Sequence, residues 1–68
     1  MLDPNTSIVL EYIKNHFSKN NEYLERIDLL YTGLSAKEIN KSIDILENIG
    51  YINVNHKYIS NPIEGINL

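Results

Sequence analysis

The sequence predicts a small, mainly α-helical fold with one β-hairpin near its C-terminal end. Three observations favour this class: apolar residues at helical spacing, helix-start and helix-stop signals beside them, and alternating apolar residues after the last helix. The chain has 68 residues, of which 43% are hydrophobic, so it can form one core and no second domain. We therefore expect one domain over residues 1–68.

The first predicted element is a helix over about residues 4–18. Asp3-Pro4 is a helix-start signal, with Asp as the N-cap and Pro at the first helical position. The polar run over residues 18–21 predicts the loop that ends the helix. The apolar residues at helical spacing between these signals are Ile8, Val9, Tyr12, Ile13 and Phe17.

A shorter helix is predicted over about residues 22–31. A second interpretation stays open, in which Tyr23-Leu24 forms a brief strand and the helix begins near Arg26. Thr32-Gly33 ends the helix in both cases, because glycine adopts positive φ at no steric cost. The predicted apolar face consists of Leu24, Ile27, Leu30 and Tyr31.

The third helix, predicted over about residues 35–49, has the strongest local signals. Ser35 followed three residues later by Glu38 is typical of a capping box, in which each residue binds the backbone N–H of the other. The apolar residues Ile39, Ile43 and Leu46 lie at helical spacing, and Ile49-Gly50 ends the helix.

The hairpin is predicted over residues 51–60, as two alternating stretches joined by a two-residue turn at Asn55-His56. In this register Ile52 lies opposite Ile59, so that one face of the hairpin covers the core. Residues 61–68 form a short apolar tail for which no structure is predicted.

The order helix, helix, glycine turn, long helix and hairpin resembles that of a winged helix-turn-helix domain. The stretch GLSAKEINKSI (residues 33–43) is similar to the turn and recognition helix of small Cro-type phage repressors. The stretch IDILENIGYI (residues 43–52) resembles the helix end and first wing strand of MarR-like regulators. The resemblance covers residues 27–59, roughly half of the chain, and implies three helices plus a wing.

This resemblance implies a sequence-specific DNA-binding transcriptional regulator. The N-terminal half of the recognition helix would enter the major groove, and the wing tip would contact the flanking backbone. Lys37 and Lys41 would then bind phosphates while Asn40 reaches a base edge. The candidate DNA-binding residues are Ser35, Ala36, Lys37, Glu38, Asn40, Lys41, His56 and Lys57.

The charge balance keeps a second function open. Six basic residues against nine acidic ones give a net charge of −3, which disfavours phosphate binding. The alternative is a winged-helix protein-interaction module that does not bind DNA, for example a phage-encoded antagonist or accessory factor. Lysines gathered around the third helix would favour DNA, whereas Glu22, Glu25 and Asp28 along its border would favour a protein partner.

A second apolar stripe suggests self-association. Ile45 and Ile49 lie four residues apart on the third helix, beside its main apolar face. We expect this stripe to form the seam of a homodimer, together with helix 1 or the apolar tail. Packing of Ile45 on helix 1 within one chain is the other interpretation.

The remaining residues predict neither catalysis nor cofactor binding. The absence of cysteine excludes disulfides, a cysteine zinc site and a cysteine nucleophile. His16 and His56 lack metal-ligand spacing, and no nucleophile, base and orienting group form a set, so we expect no metal, no cofactor and no enzyme activity. Without a signal peptide or a run of about 18 apolar residues, we expect no membrane contact and a cytoplasmic protein. The abundance of Ile and Asn, with a single alanine and a single arginine, is typical of AT-rich codon usage, so we expect a source that is a phage or a low-GC prokaryote.

Overall fold

The computed structural model describes residues 2–67, which form three helices and two antiparallel strands. The hydrophobic core lies between the helices and one face of the two-stranded sheet. The expectation of a mainly helical chain with a small hairpin is therefore confirmed. The elements are α1 (Pro4–Lys19), a 3₁₀ helix (Arg26–Thr32), α2 (Ala36–Asn48), β1 (Ile52–Val54) and β2 (Ile63–Ile66).

Helix α1 begins at the predicted residue and ends one residue later than predicted. The Asp3 carboxylate accepts hydrogen bonds from the Thr6 backbone N–H at 2.9 Å and the Thr6 hydroxyl at 3.0 Å. The buried Thr6 hydroxyl also lies 3.2 Å from the buried Ser42 hydroxyl of α2. This contact gives both hydroxyls a partner inside the core, where an unpaired polar group would be destabilising.

The prediction of an α-helix over residues 22–31 is wrong, because the second helix is a 3₁₀ helix that starts at Arg26. The alternative interpretation, with a brief strand at Leu24, is confirmed. Leu24 and Ile63 form an antiparallel bridge, with backbone hydrogen bonds of 2.9 Å in both directions. Since this pairing needs an extended backbone, Leu24 cannot belong to the helix.

The predicted apolar face of this helix is also wrong. A 3₁₀ helix has three residues per turn, so Arg26, Leu29 and Thr32 share one row. Leu29 is fully buried and the other two are half-buried, which makes this row the inward one. Three residues predicted to face the core are therefore exposed to solvent: Ile27 at 70%, Leu30 at 48% and Tyr31 at 85%.

Helix α2 has the predicted capping box. The Ser35 hydroxyl accepts from the Glu38 backbone N–H at 3.2 Å, and the Glu38 carboxylate accepts from the Ser35 backbone N–H at 3.0 Å. Gly33, with φ of 87°, makes the left-handed turn that ends the preceding 3₁₀ helix. The buried residues of α2 are Ile39, Ser42, Ile43 and Leu46, so its opposite face points outward.

The hairpin predicted over residues 51–60 is wrong in its second strand. β1 pairs with β2, so that Ile52 lies opposite Ile66 and Val54 opposite Ile63. Ile59, predicted to pair with Ile52, is fully exposed at 102%. β2 thus lies in the segment 61–68 that was predicted to be a tail; Leu68 is outside the described residues.

Burial and turn chemistry explain this pairing. Ile63 is fully buried and pairs with β1 on one side and Leu24 on the other. Two-residue hairpin turns prefer glycine at the second position, as in Asn-Gly, and Asn55-His56 lacks that glycine. A loop over residues 55–62 forms instead, closed by a hydrogen bond of 2.9 Å from the Asn55 N–H to the Pro62 carbonyl. In this loop Asn61 adopts a φ of 46°, a conformation that asparagine tolerates well.

The chain was expected to make no membrane contact. Within residues 2–67, none of the helices combines the length and apolar character required to cross a bilayer.

Candidate nucleic-acid interface

The outward face of α2 collects six of the eight predicted site residues. All six are exposed, because the buried row of α2 occupies the opposite side of the helix. The capping box holds the start of α2 in place, so these side chains project from a rigid element. The six residues are Ser35, Ala36, Lys37, Glu38, Asn40 and Lys41.

Carboxylates accompany the two lysines of α2. Lys37 and Lys41 line a shallow depression that Asp3 and Glu38 also line. The pKa of Asp3 is lowered by hydrogen bonds from Thr6 and, to a smaller extent, by the positive charge of Lys41. The lysines are therefore partly compensated, and the cationic field at the start of α2 is weaker than their number suggests.

The Glu38 carboxylate is bound from two sides. Hydrogen bonds from the Ser35 backbone N–H and hydroxyl, and then from the Asn5 amide, lower the pKa of Glu38. The Asn5 amide nitrogen donates to the second Glu38 oxygen at 3.0 Å. Glu38, one of the candidate DNA-binding residues, is thus an ionised helix cap whose two oxygens already accept hydrogen bonds within the chain.

Arg26 joins three parts of the molecule at the edge of this face. Its Nε donates to the Asn61 carbonyl in the 55–62 loop at 2.8 Å, and its Nη1 donates to the Asn40 side-chain oxygen at 3.0 Å. Sequence reasoning did not include Arg26 among the site residues. The available signal was that Arg26 is the only arginine in the chain.

The bond from Arg26 bears directly on the predicted role of Asn40. An asparagine reads adenine by accepting from the base N6 amino group through its side-chain oxygen and donating to N7 through its amide nitrogen. In this structure the Asn40 oxygen already accepts from Arg26. A base in contact with Asn40 must therefore share that oxygen with Arg26 or displace the guanidinium.

The prediction that His56 lies at the tip of a tight hairpin is wrong. Its imidazole lies against α2 instead. Its Nε2 is 2.6 Å from a carboxylate oxygen of Glu47, in the C-terminal half of α2. This hydrogen bond and the negative charge of Glu47 raise the pKa of His56. The contact fastens the start of the 55–62 loop to α2 and places a carboxylate beside the imidazole.

Lys57 is exposed on a different part of the surface from Lys37 and Lys41. Its backbone N–H donates to the Asn55 side-chain oxygen at 2.9 Å, which shapes the start of the loop. The depression that Lys57 lines also includes Tyr23 and Glu25, and it shares no lining residue with the depression at the start of α2. The three lysines predicted to bind DNA thus border two separate depressions.

Among residues 2–67, no three His, Asp or Glu side chains come together as metal ligands would. Comparisons of the chain with protein families, curated proteins and solved structures found no match. Function must therefore be inferred from the residues of the chain and their geometry.

Proposed function

We propose that this chain is a winged helix-turn-helix protein that binds duplex DNA as a homodimer and regulates transcription. In this proposal α2 is the recognition helix and the 3₁₀ helix with Gly33 precedes it as the first half of the motif. The 55–62 loop between β1 and β2 is the wing. The N-terminal half of α2 enters the major groove, and the wing contacts the flanking backbone.

The observation that carries the proposal is the pair of hydrogen bonds from Arg26 to Asn61 and Asn40. A helix and a wing that bind one duplex must keep a fixed spacing, since the groove and the backbone beside it are a fixed distance apart. The Arg26 guanidinium donates hydrogen bonds both to the wing and to the outward face of α2. The His56–Glu47 contact supports the same arrangement further along α2.

In this proposal the residues of α2, of the 3₁₀ helix and of the wing take distinct roles in DNA binding. Lys37 and Lys41 bind phosphates beside the groove, and Asn40 with Arg26 supplies donors and an acceptor for base edges. Lys57, which belongs to the wing and borders a separate depression, binds the flanking DNA backbone. The few cations imply about three or four phosphate contacts per subunit, and hence a shallow salt dependence. Two subunits would bind half-sites roughly 34–36 Å apart.

A second candidate function is protein binding without DNA binding. Its support is the set of carboxylates beside the cations of this surface, from Asp3, Glu38 and Glu47, together with the net charge of −3. Carboxylates at these positions repel phosphates and attract cationic proteins.

A titration separates the two functions. Isotope-labelled protein is titrated at low salt with a pool of AT-rich duplexes, and amide shifts are followed by NMR. DNA binding through the proposed surface shifts amides at residues 35–42 and 55–58. Absence of shifts at high DNA concentration would reject DNA binding and favour the second candidate.

A pair of double variants tests the docking face. Lys37→Ala with Lys41→Ala should abolish DNA binding while the melting temperature stays nearly unchanged, because both side chains are exposed. The matched control, Lys14→Ala with Lys19→Ala, removes the same charge from α1, where Lys14 forms only an exposed ion pair with Glu11. Unaltered binding in the first variant, or equal loss in both, would contradict the assigned face.

A further inference from the structure

The Arg26 guanidinium fixes the orientation of the Asn40 carboxamide on the outward face of α2. Its Nη1 donates to the Asn40 Oδ1 at 3.0 Å, and its Nε donates to the Asn61 carbonyl at 2.8 Å. A guanidinium has N–H donors and no acceptor, so a carboxamide turned the other way would lose this bond. Arg26 therefore holds the Asn40 oxygen toward itself and leaves the amide nitrogen for an external ligand.

The groups that remain free on this pair of side chains are hydrogen-bond donors. Within residues 2–67 the amide nitrogen of Asn40 makes no hydrogen bond. The two bonds of Arg26 use two of the five N–H groups of a guanidinium, which leaves three. A ligand that meets both side chains is therefore offered donors by each of them.

Both side chains border one shallow depression between the 3₁₀ helix and α2. Among the described residues that line it, only Arg26 and Asn40 have polar side chains. The other lining residues are apolar: Ile27, Leu30, Ala36 and Ile39. The side chains of this depression therefore present donors on an apolar background, and the one acceptor among them already binds Arg26.

Guanine is the base whose major-groove edge is complementary to donors alone, because its N7 and O6 are both acceptors. Adenine pairs an acceptor at N7 with a donor at N6, so it requires the oxygen that Arg26 holds, and cytosine presents its N4 donor. Residues 35–49 contain no arginine, the commonest reader of guanine, and the 3₁₀ helix brings one to this face. We propose, resting on the DNA binding proposed above, that Arg26 sets the base preference of Asn40, so that the pair reads guanine.

The bond between Arg26 and Asn40 can be tested in the free chain. Arg26→Ala removes the donor to the Asn40 oxygen and should shift the side-chain amide signal of Asn40 in an NMR spectrum. The side-chain amide of Asn5, which donates to Glu38, is the control and should not move. An Asn40 signal that stays in place would overturn the proposal without any use of DNA.

Base preference is measured by selection at low salt from duplexes with a randomised centre, followed by titration of single duplexes. The unaltered chain should enrich a guanine, and adenine at that position should weaken binding by about fivefold or more. In Arg26→Ala the preferred base at that position should become adenine, because the Asn40 oxygen is released. Asn40→Ala should reduce the preference for guanine and gain none for adenine.

His56→Gln is the matched control, because Arg26 also bonds the wing at Asn61. This variant weakens the contact of the wing with Glu47 and should leave the preferred base unchanged. Thermal melting checks that each variant folds. Since the Asn40 side chain is exposed, Asn40→Ala should fold and decides the question even where Arg26→Ala does not.

The outcomes separate this inference from the proposed function. A guanine preference retained in Arg26→Ala or in Asn40→Ala, or one lost equally in His56→Gln, would overturn the reading of guanine and leave DNA binding in place. Enrichment of duplexes without guanine would do the same. Selection that enriches no duplex, together with no amide shifts on titration, would overturn the proposed function and the reading of guanine with it.

Discussion

Helix α2 and the strand pair β1–β2 differ in what decides their structure. Both ends of α2 are set by neighbours in the sequence, with the capping box at Ser35–Glu38 and a left-handed Gly50 just beyond the helix. The position of β2 is set by distant residues, because Ile63 pairs with Val54 of β1 and with Leu24 ahead of the 3₁₀ helix. Local sequence patterns therefore predict the helix and not the strand pairing.

The competition for β1 shows how burial decides between two apolar stretches. Residues 57–60 alternate and adjoin a turn, so they satisfy the local pattern of a second strand. Ile63 offers instead a fully buried side chain, a backbone N–H and carbonyl that both bond to Leu24, and a position opposite Val54 of β1. The apolar area and paired backbone groups gained by the second choice outweigh the entropy of closing a longer loop, which grows slowly with length.

The largest expected effect on stability comes from shortening the side chain of Ile63, where β2 pairs with residues distant in the sequence. Ile63→Ala should destabilise the chain by about 2–5 kcal/mol, because it leaves a cavity where β2 meets the core. Ile59→Ala, the matched control in the loop, should change the free energy of unfolding by less than about 0.5 kcal/mol. Urea denaturation measures both.

The reverse result would favour the other pairing. A loss of about 2 kcal/mol or more in Ile59→Ala with little change in Ile63→Ala would mean that residues 57–60 supply the second strand in solution. The contrast between α2 and the strand pair would then disappear, because local patterns would have predicted both.

The sequence predicts the parts of the fold in which local and tertiary preferences agree. The caps and 3.6-residue periodicity of α1 and α2 lead to the observed bounds within one or two residues. The 3₁₀ helix shows the limit, because the row that faces the core contains Leu29 and not Ile27, Leu30 or Tyr31. Nothing in its local pattern of apolar residues distinguishes that geometry from an α-helix.

The candidate site follows the same division. The exposed residues of α2 can be found from the sequence, since the buried row of the helix determines its opposite face. The contacts of Arg26 with Asn40 and Asn61 cannot, because they join residues far apart in the chain. For the same reason the sequence did not show that Glu47 holds His56 against α2.

A smaller effect is expected from the local region, at the cap of α2. Ser35→Ala removes the hydroxyl that accepts from the Glu38 backbone N–H, and should cost about 1 kcal/mol, within a range of roughly 0.5–2 kcal/mol. Ser35→Asp keeps an acceptor at the cap and should lose less. Urea denaturation of both variants is the measurement, and equal losses would show that the cap does not stabilise α2.

The smallest effect concerns the His56–Glu47 contact, which links the two regions. Glu47 raises the pKa of His56 above its ordinary value of 6.5, so the contact stabilises the folded chain fully at pH below 6.5. As pH rises through the folded-state pKa, His56 loses its proton and this stabilisation is lost. The free energy of unfolding of the chain minus that of His56→Gln should therefore fall as pH rises through this window.

Glu47→Gln provides the control for this pH dependence. It removes the charged partner, so the difference between Glu47→Gln and the double variant with His56→Gln should vary little with pH. Because both side chains are partly exposed, the contact is screened and its contribution is small. Amide shifts at residues 55–57 should change over the same pH window, while those at the Ser35 cap stay constant. This result would show that the titration affects the loop and not the start of α2. Shifts that spread through both regions would instead mean that the loop and α2 respond as one unit.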